Sequence, residues 1–216
     1  MTPKHASELA FWVQLSADHG GDLRKTHGLY EHFYTEFFEM GSYKGKKVLD
    51  IGCGPAGTLE WADEAAERVG LDPLADEYRV HLNVGAHKMQ YVAGYSEAIP
   101  YPARYFDVVC SFNSLDHVDD PFATVAEIKR VTAPGGHFLL LTEVHPWPTL
   151  NEPIVLQWDV VERFKPAFKL LGSGHFEKHP MGLYQSLWVG IGSVTPFDHA
   201  DPKLRYGVLA AKFVRT

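Results

Sequence analysis

The chain has 216 residues, enough for one hydrophobic core, and its composition (45% hydrophobic, 22% charged) is that of a globular protein. Its formal net charge of -7 repels a phosphate backbone, which disfavours a nucleic-acid partner. Two cysteines are too few for a disulfide framework, and we find neither a leader-like apolar segment nor a run of about 20 apolar residues. We therefore expect a cytoplasmic protein without a membrane partner, whose oligomeric state the sequence leaves open.

The first 44 residues predict a helical cap. They contain two runs of apolar residues at helical spacing, separated by the glycine-containing segment 19–22. The members of these runs are Phe11, Trp12 and Leu15, then Leu29, Phe33, Phe37 and Phe38. Aromatic residues at such spacing form a core more often than a ligand site, and both interpretations stay open here.

Strands and helices alternate between residues 45 and 142. The apolar patterns predict strands at 48–51, 67–72, 89–93, 106–111 and 137–142. The intervening patterns predict helices at 58–66, 76–84 and 121–131. This alternation indicates βαβ units and a mostly parallel α/β sheet.

The alternation of predicted strands and helices ends after residue 143. Residues 157–164 predict a short helix, and residues 184–191 and 206–215 predict two strands without a full crossover helix between them. The simplest arrangement is an antiparallel hairpin that closes one side of the sheet. The chain thus predicts a single domain over 1–216, with a helical cap (1–44), a core (45–142) and a segment with the closing strands (143–216).

A glycine-rich turn follows the first predicted strand. Gly52, Gly54 and Gly57 fit the G-x-G-x-x-G pattern of dinucleotide-binding enzymes, and glycine lets a ligand approach the backbone closely. Asp72 lies 72 − 52 = 20 residues after the first glycine, where a carboxylate can accept hydrogen bonds from ribose hydroxyls. The pattern therefore fits a dinucleotide or another cofactor that contains adenosine.

Three features disfavour hydride transfer. Asp50 places a carboxylate inside the first strand, where a cationic cofactor would stabilise it. The Tyr-x-x-x-Lys pair of short-chain reductases occurs as Tyr43 and Lys47, before the first strand and far from its carboxyl end. The closing antiparallel hairpin is also foreign to most dinucleotide folds.

The core resembles class I S-adenosylmethionine-dependent methyltransferases of the small-molecule type. The resemblance covers residues 46–142 and rests on five ordered motifs: 48–54 (VLDIGCG), 69–73 (VGLDP), 94–101 (GYSEAIPY), 115–121 (LDHVDDP) and 131–136 (VTAPGG). It implies a Rossmann-like, seven-stranded, mostly parallel sheet with helices on both faces and a C-terminal antiparallel hairpin.

The resemblance also implies the cofactor S-adenosyl-L-methionine and the product S-adenosyl-L-homocysteine. The residues that it assigns to cofactor binding are Asp50, Gly52, Gly54, Asp72, Pro73, Ser96, Glu97 and Asn113. Tyr95 departs from the family pattern, which often has an acidic residue there for the adenine amino group. We expect adenine to be bound by backbone groups near Ser96 and Glu97 instead.

The expected reaction is methyl transfer to oxygen or nitrogen of a small-molecule acceptor. A hydroxyl acceptor needs a general base, and His145 and His117 are the candidates because each follows a strand of the core. Both also fit ordinary loop histidines. The acceptor site would be roofed by aromatic residues of the cap: Phe11, Trp12, Tyr30, Phe33 and Tyr34.

No metal is expected. The segment 175–179 has two histidines four residues apart, but its glutamate is misplaced for H-E-x-x-H, and on a strand its ends lie about 13 Å apart. Two alternative functions stay open: a cofactor-binding module without catalysis and, with less support, a nicotinamide oxidoreductase.

Overall fold

A seven-stranded mixed sheet organises the chain. The structure is a computed structural model that describes residues 1–23, 27–188 and 194–216. The strands run in the order β3-β2-β1-β4-β5-β7-β6. Their bounds are β1 Lys47–Ile51, β2 Glu67–Asp72, β3 Gln90–Ala93, β4 Phe106–Phe112, β5 Thr132–Val144, β6 Phe168–Glu177 and β7 Gly207–Arg215.

Strands β1 to β5 are parallel, and β7 pairs antiparallel with both β5 and β6. The strand order reverses between β1 and β4, so their carboxyl ends diverge into a crevice of the kind that holds ligands in open α/β sheets. The Rossmann-like fold with two antiparallel C-terminal strands is confirmed.

Both faces of the sheet are covered, as the strand pattern predicts. Consecutive residues of a strand point to opposite faces, so Val48 belongs to one apolar cluster and Leu49 to the other. Tyr78 of the helix α3 (Ala75–His81) packs in the first cluster, and Ile128 of the helix α4 (Pro121–Val131) in the second. Both side chains are fully buried, which fixes each helix against its own face.

The described part of the chain contains four α-helices around the sheet: α1 Pro3–Asp18, α2 His27–His32, α3 Ala75–His81 and α4 Pro121–Val131. Thr2 caps α1 by accepting the N–H of His5, and Asp120 caps α4 by accepting the N–H groups of Phe122 and Ala123. A π-helical turn, Phe33–Phe37, follows α2, and short 3₁₀ helices lie at Val84–Ala86, Ser96–Ala98, Trp158–Phe164 and Tyr184–Leu187. Within the described ranges no helix is long and apolar enough to cross a bilayer.

The aromatic cap residues form core rather than a roof. Tyr30, Phe33 and Tyr34 are at most 6% exposed and belong to the cluster on one face of the sheet. The ring centroids of Tyr34 and Phe112 lie 4.7 Å apart. Phe11, by contrast, is 57% exposed. Tyr30, Phe33 and Tyr34 therefore belong to the core, which is the interpretation that their helical spacing favours.

The helix predicted over 58–66 is absent, and the segment is a series of turns. Its backbone bonds close over three residues, as from the Glu60 N–H to the Gly57 carbonyl at 3.0 Å. The guanidinium of Arg68 donates to the carbonyls of Leu59 and Glu60 at 3.3 and 2.9 Å. Because these two carbonyls accept hydrogen bonds from Arg68, side-chain bonds take the place of the backbone hydrogen bonds of a helix.

The first strand of the antiparallel pair is also placed differently from the prediction. Residues Tyr184–Leu187 form a 3₁₀ helix, and residues 189–191 of the predicted strand lie outside the described residues. The strand that takes the predicted place beside β7, on the side away from β5, is β6, Phe168–Glu177. It contains Gly172 and Gly174 and is mostly half-buried or exposed, so it lacks the apolar run that identifies a buried strand.

Candidate active site

A cavity lies over the carboxyl ends of β1, β2, β3 and β4. Its walls bring together residues from four separate motifs of the sequence, among them Gly52, Asp72, Pro73, Ser96, Glu97, Asn113 and His117. Six of the eight predicted cofactor-binding residues therefore meet at one place. Their cofactor-binding role stays a prediction, and we call this space the cofactor cavity.

Asp72 ends β2 and presents a carboxylate to the cofactor cavity. Its two oxygens accept the N–H of Gly54 at 3.0 Å and the N–H of Leu74 at 2.8 Å, so the side chain also ties the glycine turn to the start of α3. Burial raises its pKa to about 6. Each oxygen keeps a second lone pair, so ribose hydroxyls could still donate to this carboxylate.

Asn113 follows β4 in a left-handed conformation, with φ 56°, which is uncommon for a residue with a side chain. Its Oδ1 atom is buried at the cavity wall and accepts no hydrogen bond from any described residue. A buried polar atom without a partner is costly, and strained backbone concentrates at functional sites. Oδ1 of Asn113 therefore marks a place where a ligand donor fits.

The glycine turn is shaped by close packing. Gly52 has φ +67°, and a Cβ there would lie 2.3 Å from the Cβ of Ser114. Gly54 has φ +55°, and a Cβ would lie 2.8 Å from the ring of Trp12 on α1. A side chain would clash at either position. Gly52 borders the cofactor cavity, whereas the ring of Trp12 covers Gly54.

Helix α1 forms the outer wall of the cofactor cavity, which sequence reasoning missed. Lys4, His5 and Glu8 border the cavity, and the Lys4 ammonium bonds both the His117 carbonyl and the Asp119 carboxylate. Burial raises the pKa of Glu8, with a further contribution from the charge of Asp72. These two carboxylates make the cavity favourable for a positively charged ligand.

Asp50 and Gly54 do not border the cavity. Asp50 is 2% exposed within β1 and accepts a hydrogen bond from the Thr58 hydroxyl. Burial raises its pKa to about 7. Its direct partner is thus a threonine of the turn segment, and the Gly54 N–H is already bonded to Asp72.

A second group of polar residues lies beside the cofactor cavity, on the loops after β4 and β5. We call Asp116, His117, His145 and Glu152 the imidazole–carboxylate cluster. Ligand atoms of Asp116, His117 and Glu152 all lie within 4.8 Å of one another. Burial raises the pKa of Asp116 to about 7 and lowers the pKa of His117, so His117 is neutral at pH 7.

His145 is 1% exposed and does not border the cofactor cavity. Its Nδ1 donates to the Trp147 carbonyl at 2.7 Å, which leaves the lone pair on Nε2, 3.9 Å from Oδ2 of Asp116. Its ring stacks on Tyr206 with centroids 5.8 Å apart. Of the two candidate bases, His117 is therefore the one at the cavity wall.

The family comparison agrees with this geometry. Residues 49–140 match the family described as "Methyltransferase domain". The match, which covers less than half of the chain, and the fold together support a class I S-adenosylmethionine-dependent methyltransferase domain. S-adenosyl-L-methionine is the cofactor of this class, so the predicted resemblance and cofactor are confirmed at the level of the family.

One curated relative and two solved structures place the methyltransferase domain among known proteins. The Ubiquinone biosynthesis O-methyltransferase of Aliivibrio fischeri (strain MJ11) is 38% identical over 105 residues, which cover 45% of this chain and 44% of the relative. The chain thus spans less than half the length of that relative.

The structural neighbours share the fold at low identity. The geranyl diphosphate C-methyltransferase of Streptomyces coelicolor A3(2), in complex with Mg²⁺, geranyl diphosphate and S-adenosyl-L-homocysteine, has a TM-score of 0.60 at 15% identity and covers 86% of this chain and 79% of its own. The 4+2 cyclase SpnF has a TM-score of 0.60 at 20% identity and covers 88% of this chain and 80% of its own. One fold therefore carries different reactions, and the site must identify the chemistry.

Proposed function

We propose that this protein transfers a methyl group from S-adenosylmethionine to a hydroxyl oxygen of a small, ring-bearing acceptor. The observation that carries this proposal is the unpartnered Oδ1 of Asn113 beside the carboxylate of Asp72, with the neutral imidazole of His117 on the adjoining wall. The first two groups suit the cofactor, and the third suits the proton of an acceptor.

The residues of the cofactor cavity fit the cofactor chemically. When bound, S-adenosylmethionine supplies an electrophilic methyl group on a positively charged sulfur. Asp72 would accept hydrogen bonds from ribose hydroxyls, and Asn113 Oδ1 would accept from the ammonium group. The carboxylates of Asp72 and Glu8 favour a cationic ligand in this cavity. Proximity and the exclusion of water would then account for much of the rate enhancement.

The imidazoles favour oxygen as the methylated atom. A hydroxyl must lose its proton as it attacks, and a neutral imidazole accepts a proton near pH 7. Both His117 and His145 have a buried Nε2 without a hydrogen-bond partner among the described residues. The O-methyltransferase name of the curated relative supports the same choice. A ring-bearing acceptor is favoured by Tyr206 and by Trp147, which is 51% exposed beside it.

The test is a turnover assay with matched acceptors. The protein is incubated with S-adenosylmethionine and a panel of hydroxylated aromatics, their amino analogues and their already methylated forms. We expect S-adenosylhomocysteine and a methylated product with some of the hydroxylated compounds and none with the methylated forms. Methylation of amino analogues alone would remove the oxygen assignment.

Binding data separate the alternatives. Thermal stabilisation by S-adenosylhomocysteine without turnover on any acceptor would favour a non-catalytic cofactor-binding module. Stabilisation by NAD(P) without stabilisation by S-adenosylhomocysteine would favour an oxidoreductase and overturn the proposal.

A further inference from the structure

We propose that the imidazole–carboxylate cluster binds one divalent cation of the borderline class, such as Zn²⁺, Mn²⁺ or Co²⁺. Asp116, His117 and Glu152 would be ligands, with His145 as a fourth. Such a mixture of imidazole nitrogens and carboxylate oxygens is the donor set that these ions accept. The sequence predicts no metal, because these four residues come from three separate stretches of the chain with no motif spacing.

The distances suit an ion after small side-chain rotations. The ligand atoms of Asp116, His117 and Glu152 lie within 4.8 Å of one another. Ligands about 2.1 Å from a tetrahedral ion are about 3.4 Å apart, so rotations that move each atom by about an ångström would close the site. Oδ2 of Asp116 and Nε2 of His145 are 3.9 Å apart, close to that separation already.

Three ligand atoms of the cluster are buried and have no hydrogen-bond partner in the described part of the chain. They are Oδ2 of Asp116, Nε2 of His117 and Nε2 of His145. Buried polar atoms are nearly always paired, so three such atoms in neighbouring residues require an explanation. A cation bound to Asp116 and its neighbours would supply the missing partner.

The outer contacts of His145 are those of a metal ligand. Its Nδ1 donates to the Trp147 carbonyl at 2.7 Å, which fixes the tautomer and points the Nε2 lone pair at Asp116. Histidines that bind metals commonly donate their other N–H to a carbonyl or a carboxylate in this way.

The carboxylates are oriented in the same manner. Thr142 donates to Oδ1 of Asp116 at 3.1 Å, which leaves Oδ2 free toward the cluster. Thr149 donates to Oε2 of Glu152 at 3.2 Å. The N–H of Ile154 bonds the Asp116 carbonyl at 3.2 Å and holds the Glu152 loop against the loop after β4.

Neighbouring cations do not neutralise the cluster. Among the described residues, neither Asp116 nor Glu152 forms an ion pair with lysine or arginine. Lys178 is paired with Glu143, and Lys4 with Asp119. Oδ2 of Asp116 and Nε2 of His145, 3.9 Å apart, are too far from each other for a hydrogen bond.

A bound cation would change the assignment of the proton acceptor. A divalent ion lowers the pKa of a coordinated hydroxyl, so it would take over the task that we give above to a neutral imidazole. This consequence rests on the proposed function. Ion binding itself does not, and it can be measured without cofactor or acceptor.

The experiment is a titration of chelator-treated protein with Co²⁺, followed by visible absorption and by the thermal midpoint. We expect one equivalent to bind, with the absorption of a low-symmetry site that Zn²⁺ abolishes by displacement. Asp116→Asn, His117→Ala and Glu152→Gln should each weaken binding at least about tenfold, as losses around metal sites typically do. Glu152 is half-buried on a loop, so its variant tests the site even where the buried Asp116 variant fails to fold.

His175→Ala is the matched control. Nδ1 of His175 lies 2.9 Å from Nε2 of His199, so this pair is the competing place where cobalt could bind adventitiously. Retained binding in His175→Ala and loss in the cluster variants would support the site. Absent binding in the native protein, or loss in His175→Ala alone, would overturn it. Cobalt binding is measured without cofactor or acceptor, so its failure leaves the turnover test of the proposed function unaffected, and turnover can fail while cobalt still binds.

Discussion

The cofactor cavity and the imidazole–carboxylate cluster lie side by side but are built differently. The cavity is made mainly by backbone turns that directly follow β1, β2, β3 and β4, so its shape is set by the sheet. The cluster is made by side chains from loops that only tertiary contacts hold, such as the bond from Ile154 to Asp116. Local sequence therefore encodes the first region well and the second poorly.

The comparison separates binding from turnover. Residues of the cavity should control cofactor affinity, whereas the cluster residues that do not border the cavity (Asp116, His145 and Glu152) should control turnover with affinity spared. Variants in the cavity and in the cluster test whether cofactor affinity and turnover change independently.

The largest expected effect belongs to His145→Asn. Turnover should fall by about 10²–10⁴-fold, because the variant removes a ligand of the proposed cation that would assist loss of the hydroxyl proton. S-adenosylhomocysteine affinity should change less than about twofold, since His145 does not border the cavity. Steady-state kinetics and calorimetry measure the two quantities. His199→Ala is the control, and equal turnover in His145→Asn would remove His145 from the mechanism.

Asp72→Ala should change cofactor affinity, because Asp72 borders the cofactor cavity. Loss of a carboxylate that bonds ribose hydroxyls should weaken S-adenosylhomocysteine binding by about 1–3 kcal/mol, or roughly 5- to 150-fold. The thermal midpoint should fall as well, since the N–H groups of Gly54 and Leu74 lose their acceptor.

Asp76→Ala is the matched control for Asp72, because Asp76 is an exposed acid at the start of α3. Calorimetric titration distinguishes the two variants. Unchanged affinity in Asp72→Ala would show that the ribose is bound elsewhere, and the cavity would then lose its assignment.

The smallest effect concerns stability and Asp50. The folded-state pKa of about 7 lies above the unfolded value of about 3.9, so the folded protein binds this proton more tightly. This contribution to stability is fully present below about pH 4 and is lost as the pH rises through 7. Asp50→Asn should therefore remove on the order of 1–2 kcal/mol of pH dependence between pH 5.5 and 8.

Urea unfolding of native protein and Asp50→Asn at these two pH values measures the difference. Parallel pH profiles would show that the folded-state carboxyl does not change its protonation between these pH values. The Asp50 variant leaves the cavity walls intact, so it tests the strand beneath the turn rather than the site itself.

Much of the fold follows from the sequence because local pattern and tertiary structure agree there. The strands β1, β2 and β4 are apolar runs buried on both faces, and α4 has its capping aspartate and apolar stripe. Six cavity residues follow from the family resemblance, because its motifs lie at the strand ends that border the cavity. The wall formed by α1 does not, because no local signal says where Lys4 and Glu8 dock.

The two wrong elements fail for one physical reason. Residues 58–66 lose their helix to the outside contacts of Arg68, and β6 becomes a strand through pairing with β7 despite its glycines. In both, a distant partner overrides weak local preference. Asp116, His117 and Glu152 are missed likewise, since their proximity arises only when the loops fold together.

The docking of α1 has a practical consequence for handling the protein. Because Lys4 and His5 border the cofactor cavity, an affinity tag fused ahead of Met1 would lie close to the entrance of that cavity. A tag following Thr216, which is exposed and lies just after β7, avoids this obstruction. Calorimetry and crystal soaking are therefore best planned with the purification handle at the carboxyl terminus.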